Sequence, residues 1–201
     1  MDLQHIGVKL FVKDPDGIDL TVFIPIFHAW IQDHALDELM LIDVADYSHV
    51  HAGPGVMLIC HEGHIAMDED GGRLGLVYAN KRLATGSVAD RLRSALRRVL
   101  TAAQRLEAAP QLAGKIAFRS DELALRVDDR LHAPNTVETF DTVRPDLQKV
   151  FTGLYNGERV DLEHVENPKT GLTVNVSTSA SVDVATLLAR TAAGQERSTE
   201  A

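Results

Sequence analysis

Short apolar runs broken by turn residues alternate with stretches of helical periodicity along the chain. Residues 6–12 read IGVKLFV, a run rich in β-formers that stops at the turn sequence DPDG. Apolar residues then recur at helical spacing and predict a helix from about 20 to 35. The next apolar run, at 39–46, predicts a strand that is buried on at least one face.

Three short apolar segments follow at the spacing of hairpins. They cover residues 56–61, 64–69 and 73–79, and the links EG and DGG between them suit tight turns. From Ser87 to about 108, apolar residues fall on one helical face, with Ser87 as the expected N-cap. This stretch predicts the longest amphipathic helix of the first half.

The second half repeats the alternation of strand and helix signals, ending in a polar tail. The elements predicted for it are a hairpin of 115–119 and 122–128 turning at Ser120-Asp121, a polar loop at 128–135, a helix at 136–155 closed by Asn156-Gly157, strands at 159–166 and 171–177, and a short helix at 182–190. We expect one domain over 1–178, followed by the short helix and a mobile polar tail over 179–201.

Residues 5–80 and 115–178 show the same order of elements, on either side of the helix at 87–108. At an offset of 120 residues, apolar positions of the first helix and the strand after it match apolar positions of the second half. A duplicated strand–helix–strand–strand unit is one interpretation, and chance similarity is the other. Both predict an α+β fold, with an antiparallel or mixed sheet and two to three packed helices. The apolar strand at 39–46 is expected to be central, and its counterpart at 159–166 to lie nearer an edge.

The composition limits the functional classes. The 201 residues carry a formal charge of −9, which opposes general binding to nucleic acids and to anionic membrane surfaces. Cys60 is the single cysteine, so the chain forms no internal disulfide. The apolar runs are shorter than a membrane span, and the first residues lack the pattern of a signal peptide. We therefore expect a cytoplasmic protein.

Histidines provide the first candidate site. Four of the nine histidines lie close together in sequence, namely His49, His51, His61 and His64. Histidines two apart in an extended segment point to the same side, which suits a divalent transition metal such as zinc. The alternative is that these side chains are exposed on loops and bind nothing. The HEGH sequence lacks the helical spacing of a zinc-protease motif.

Two further candidates concern a small anionic ligand. Asp43 interrupts an apolar strand, where a carboxylate can face a cleft and act as a base. Arg126, Arg130 and Asn135 surround the start of a predicted helix, where backbone N–H groups favour a carboxylate or phosphate. In the simpler interpretation, Asp43 is paired, Asn135 caps the helix and Arg130 pairs with a neighbouring aspartate.

The predicted helix at 87–108 carries a basic stripe. Arg91, Arg98 and Arg105 recur every seven residues and lie on one side of that helix. Such a stripe fits an acidic protein surface or a second subunit in a homodimer, but also a solvated helix face. Aromatic residues are not interleaved with the arginines, so nucleic-acid binding is not indicated.

No catalytic motif in the sequence specifies a reaction. The preferred hypothesis is a small-ligand or metal-binding protein with its site near the histidine-rich segment at 43–64. The alternative is a non-catalytic assembly protein that uses the arginine-striped helix and a homodimer interface.

Overall fold

The computed structural model describes residues 2–51, 53–112, 114–167 and 169–196. Within these ranges the chain forms an eight-stranded antiparallel sheet and four α-helices, as expected for the predicted α+β class. The strands are β1 (Ile6–Val12), β2 (Leu41–Tyr47), β3 (Gly55–Cys60), β4 (Gly63–Asp68), β5 (Gly75–Asn80), β6 (Phe118–Val127), β7 (Val160–His164) and β8 (Leu172–Thr178). The helices are α1 (Phe23–Gln32), α2 (Val88–Glu107), α3 (Val137–Leu154) and α4 (Val184–Glu196).

The helices pack on one face of the sheet. Along the strands, every second side chain joins a single apolar core that also contains the buried faces of the helices. In β1, for example, Val8 and Leu10 face this core, whereas Phe11 is buried outside it. Helix α2 lies over β1 and β5, and α4 packs against α2. The opposite face of the sheet carries no helix among the described residues.

Small and charged residues occupy the helix-free face. Lys9 lies along this face and its ammonium is 2.5 Å from the carboxylate of Asp68, with both side chains nearly buried. The aliphatic stem of Lys9 passes over Gly75, where an added Cβ would lie 2.6 Å from the Lys9 Cε. The guanidinium of Arg73 stacks on Phe11 at 3.6 Å from the ring centroid. Packed side chains therefore shield the centre of this face without a second layer of secondary structure.

The two halves of the chain enter the sheet in the same order. The strand order is β2-β3-β4-β5-β1-β6-β8-β7, so β1 and β6 form the central pair. Each half runs from its central strand through a helix to an edge strand, β2 or β7, and then returns toward the centre. The return takes three strands in the first half and one in the second. A duplicated origin of the halves stays a prediction.

The prediction that the strand at 39–46 is central was wrong. Strand β2 lies at an edge of the sheet, and β3 is its only partner among the described strands. Its apolar run predicted burial on at least one face, but no residue of the strand is fully buried. Ile42 within the strand is exposed to 54%, and Met40 just before it to 63%. An apolar sequence alone does not distinguish a central strand from an edge strand whose side chains face solvent.

The predicted hairpin around Ser120-Asp121 was also wrong. Residues 118–127 form one continuous strand, and its register with β1 shifts between Leu10 and Val12. The turn residues accommodate this irregularity, as in a β-bulge. The carbonyl of Ser120 accepts a hydrogen bond of 2.6 Å from the Tyr155 hydroxyl, and its side chain donates to the carbonyl of Val182. These bonds fix the irregular segment within the strand.

The boundaries of α2 and α3 agree closely with the sequence analysis. Ser87 caps α2 in a capping box with Asp90, in which each side chain accepts a hydrogen bond from the other residue's backbone N–H. Helix α3 ends before Asn156 and Gly157, which have φ values of 55° and 87°. Such left-handed residues terminate helices because their N–H groups satisfy the last carbonyls. Helix α4 continues to Glu196, six residues beyond the predicted short helix, so the start of the expected mobile tail is helical. Residues 197–201 of that tail lie outside the described residues.

Candidate functional site

A cleft opens between α2 and the connection from α1 to β2. Its volume is about 320 Å³. We name it the arginine cleft; its lining residues are Ala35, Leu36, Asp37, Glu38, Leu39, Arg97, Arg98, Thr101 and Arg105. Three arginines and two carboxylates share the wall, so the cleft combines a surplus of positive charge with an apolar floor.

Arg98 is the most constrained of the three arginines. Its guanidinium donates a hydrogen bond to the hydroxyl of Tyr78 and lies 5.2 Å from the centroid of that ring. Its Nε atom is buried and has no hydrogen-bond partner in the described part of the chain. Burial raises the pKa of Tyr78, and the positive charge of Arg98 opposes that rise. A partly buried cation with an unsatisfied donor favours the approach of an anion.

The other two arginines differ in how far a carboxylate neutralises their charge. Arg97 forms an ion pair of 2.5 Å with Glu38, which comes from the opposite wall. Arg105, two turns beyond Arg98 on α2, is exposed and pairs with no carboxylate of the described residues. Its charge is therefore available to a ligand, while the charge of Arg97 is partly neutralised by Glu38.

The side chains around the cleft suit binding better than covalent chemistry. Cys60 lies near Arg98 on the sheet, but burial raises the pKa of its thiol to about 12. A thiol with that pKa remains protonated and is a poor nucleophile at neutral pH. The charged groups that remain are arginines and carboxylates, which bind and orient anionic or cationic groups.

The structure does not bring the four candidate histidines together as metal ligands. His49 and His51 are exposed in the turn after β2, and His61 is exposed 3.5 Å from Arg82. His64 lies in β4 on the helix-free face. Among the described residues, no three histidine, cysteine, aspartate or glutamate side chains are close enough to hold a metal ion.

His64 differs from the other three histidines because it is largely buried. Burial, assisted by the positive charge of Lys81, lowers the pKa of its imidazole to about 4, and the negative charge of Asp128 opposes this shift. Its Nδ1 atom is buried and has no hydrogen-bond partner in the described chain. The side chain is therefore neutral at neutral pH, and its polar nitrogen is unsatisfied.

The residues predicted to bind an anionic ligand lie in different places. Asp43 is exposed on the edge strand, where its carboxylate accepts a bond of 2.8 Å from the N–H of Val44. Arg126 lies on the helix-free face and pairs with Asp128 at 2.5 Å and with Asp70 at 3.5 Å. Arg130 is exposed and donates to the carbonyl of Lys169 at 3.3 Å. These side chains do not converge on one site.

Asn135 connects two loops. Its amide donates to the carbonyls of Val165 and Asn167 at 3.0 and 3.1 Å and to the hydroxyl of Thr170 at 3.2 Å. Its side-chain oxygen lies 2.6 Å from Nε2 of His164. The expectation that Asn135 caps the helix was wrong, because the hydroxyl of Thr136 accepts the N–H of Thr139.

The arginine stripe is divided between structural and exposed positions. Arg91 binds the carboxylate of Asp2 and the carbonyls of Leu3 and Gly86, and only 10% of its side chain is exposed. It holds the N-terminal segment against the start of α2. Arg98 faces Tyr78, which leaves Arg105 as the exposed member of the three.

Sequence reasoning missed the cleft as a unit. It identified Arg98 and Arg105 but neither Arg97 nor the wall formed by residues 35–39. The adjacent pair Arg97 and Arg98 was a signal for a broader basic surface on this helix. Arg98 shares the direction of Arg105, seven residues on, so Arg97 must extend the basic surface to one side of the stripe. The opposite wall depends on tertiary packing, which periodicity does not reveal.

Comparisons with known proteins give no indication of family. No protein-family model and no curated protein matches the chain. Among the described residues, no helix has the length and apolar character needed to cross a membrane.

Proposed function

We propose that the protein binds a small molecule through a carboxylate or phosphate group in the arginine cleft. The observation that carries the proposal is Arg98, which is partly buried beside Tyr78, has an unsatisfied Nε and has no carboxylate partner among the described residues. A concave pocket with a few convergent polar groups is the usual form of a small-ligand site. The anionic group would pair with Arg98 and Arg105, and the ligand body would lie on the apolar floor.

The volume and charge of the cleft support a small ligand over a protein surface. At about 320 Å³, it is at the lower end of the size range of ligand pockets. An acidic protein partner lying along the whole stripe would need Arg91, which is already engaged by Asp2 and two carbonyls. A homodimer through α2 and a cytoplasmic location stay predictions. The proposal includes no metal, since no group of three donors supports one in the described chain.

The test is anion-dependent stabilisation of the purified protein. Thermal unfolding is followed with inorganic phosphate or citrate, and with sodium chloride at matched ionic strength. A ligand that binds only the native state at 100 times its Kd adds about 2.7 kcal/mol to the free energy of unfolding. We expect phosphate or citrate to raise the Tm above the chloride value, and calorimetry to show one site per chain.

Two variants and a control locate that site. Arg98→Gln and Arg105→Gln should each reduce the anion-dependent rise in Tm, because each removes one positive charge from the cleft. Arg93→Gln is the control, since Arg93 lies on α2 outside the cleft and pairs with Asp90 at 3.3 Å. A rise that persists unchanged in both cleft variants would refute the proposal. So would the absence of stabilisation by either anion.

A further inference from the structure

Strand β2 offers an unpaired backbone edge. It is the first strand of the sheet order, and its seven residues pair with β3 on one side only. The register is irregular between Leu41 and Asp43 but regular from Asp43 to Tyr47. Along these five residues, every second one directs its N–H and C=O groups to the outer side, where they can pair with an additional strand.

Apolar exposure is concentrated at this edge. Of the seven exposed large hydrophobic residues in the described part of the chain, four lie in β2 or directly beside it: Met40, Ile42, Tyr47 and Val50. Proteins usually protect an exposed edge with charged side chains, above all lysine, with proline, with a bulge or with a covering loop. In β2 the bulge lies before Asp43, and the two aspartates are the only charged residues of the strand. Strand β2 has no lysine or proline, and its exposed apolar residues lie beside the unpaired backbone. The combination favours a partner that supplies both backbone hydrogen bonds and apolar contacts.

The charge of the edge is negative. Asp43 accepts only the N–H of Val44, and Asp46 accepts the N–H and hydroxyl of Ser48 at 2.9 and 2.6 Å. Neither carboxylate pairs with a cation of the described residues. Asp33, which is also exposed, precedes the strand in the connection from α1. An added strand would therefore meet unpaired negative charge along the regular part of β2.

We infer that the β2 edge, residues 40–50, docks an extended peptide segment of another protein that carries basic and apolar residues. Asp43 and Tyr47 point to the helix-free face, and Asp46 points to the face of the core. Residues that lie opposite each other in paired strands share a face. The segment should therefore carry two basic residues three positions apart, opposite Asp43 and Asp46, with an apolar residue next to the second, opposite Tyr47.

The charge of the chain argues against a second copy as the occupant. Each copy carries a formal charge of −9 and would bring its own Asp43 and Asp46 to the shared edge. Like charges close together across paired strands are destabilising. A basic segment removes this repulsion and satisfies both carboxylates. The inference is independent of the proposed ligand function, because the residues that it assigns to peptide binding, 40–50, do not line the arginine cleft.

The test measures binding of synthetic peptides to the full chain by fluorescence anisotropy. The probe is a labelled heptapeptide, Val-Lys-Thr-Val-Lys-Leu-Val, which has the required spacing. The comparison peptide has both lysines replaced by glutamate. We expect the basic peptide to bind with an affinity that falls as salt rises, and the acidic peptide to bind at least tenfold more weakly.

Charge reversal on the protein locates the binding edge. Asp43→Lys/Asp46→Lys should weaken binding of the basic peptide at least tenfold and improve binding of the acidic one. Both side chains are exposed, and the milder Asp43→Asn/Asp46→Asn variant checks the direction if the reversal disturbs folding. The matched control is Asp161→Lys/Glu163→Lys, which makes the same change on β7 at the other edge of the sheet.

Four outcomes would overturn the inference. Equal losses in the β2 and β7 variants would show attraction to the overall negative charge only. Undiminished binding in both β2 variants, or no binding of the basic peptide, would exclude docking at this edge. A dimer in light scattering that Asp43→Lys/Asp46→Lys abolishes, and that the peptide does not displace, would assign the edge to a second copy. Arg98→Gln should leave peptide binding unchanged, which separates this result from the ligand proposal.

Discussion

The two halves of the sheet reach opposite edges by routes of different length. In the first half the hairpin of β3 and β4 lies between β2 and β5, whereas in the second half β8 alone separates β7 from β6. The two edge strands also differ in their exposed side chains. Strand β7 contains no exposed large hydrophobic residue, and Asp161 pairs with Arg159 at 2.9 Å. Strand β2 carries exposed apolar residues and unpaired carboxylates.

The comparison indicates that the longer half carries the less compensated side chains. Its extra hairpin contains Asp68, which is held near Lys9, and His64, which is buried with an unsatisfied nitrogen. In the second half, Asn135 and Tyr155 have their hydrogen bonds satisfied by backbone carbonyls and neighbouring side chains. Residues that are stable only with one partner, or in one protonation state, make the first half more sensitive to substitution and to pH.

The largest effect is expected when the buried ion pair is broken. Lys9→Met leaves the nearly buried carboxylate of Asp68 without its cation. Burial raises the pKa of Asp68 even when Lys9 is present, which shows that the charged carboxylate is disfavoured at this position. Removing one partner of a buried pair costs about 3–5 kcal/mol. Urea denaturation should show a loss of that size in the free energy of unfolding.

Two variants determine whether the loss comes from the ion pair. Arg159→Met removes the cation of an exposed pair at the β7 edge and should cost less than about 1 kcal/mol. In Lys9→Met/Asp68→Leu neither charge is left alone, so most of the lost stability should return. If the double variant is no more stable than Lys9→Met, the loss comes from the packing of the Lys9 stem over Gly75. The difference between the two halves would then not depend on the Lys9–Asp68 ion pair.

The next effect is a pH dependence specific to His64. Its pKa is about 4 in the folded protein, below the ordinary value near 6.5, because burial disfavours the charged imidazole. Between these values the unfolded chain binds the proton more tightly than the folded one. The stabilising difference is therefore fully present above pH 6.5 and is lost as the pH falls toward 4, by roughly 3 kcal/mol at most.

Denaturation at pH 7 and near pH 4.5 measures this dependence. His64→Gln should lose less stability on acidification than the wild type, since the replaced group no longer takes up a proton. The exposed His28 provides the control, and His28→Gln should follow the wild-type profile. Parallel profiles for His64→Gln and the wild type would mean that other groups account for acid destabilisation.

The sequence predicted the fold class and the main elements because local signals are strong there. The capping residue Ser87 and the periodic stripe of α2 defined that helix almost to the residue. The errors arose where tertiary context decides. The apolar run of β2 belongs to an edge strand, and Ser120-Asp121 accommodates a register shift within β6. Neither outcome follows from the residues alone, because edge position and register depend on distant strands.

The candidate site was less accessible to sequence reasoning. The four histidines are close in sequence, but they occupy a turn, a strand end and the helix-free face. Arg98 and Arg105 were recognised as a stripe, whereas the cleft also needs Arg97 and the connection before β2. Spacing along one helix predicts a face of that helix. It does not predict which loop packs opposite that face, and the loop determines whether arginines form a pocket.

The smallest of the three stability effects is expected in the second half. Asn135→Ala removes the hydrogen bonds that tie the loop before α3 to the connection between β7 and β8. Because these groups are partly accessible to water, the cost should be about 1–2 kcal/mol, with faster hydrogen exchange confined to residues 165–167 and 169–171. Asn175→Ala is the control, since that amide makes only an exposed contact of 3.5 Å with Glu163. A loss as large as that of Lys9→Met would contradict the comparison, because it would make the second half depend equally on a single partner.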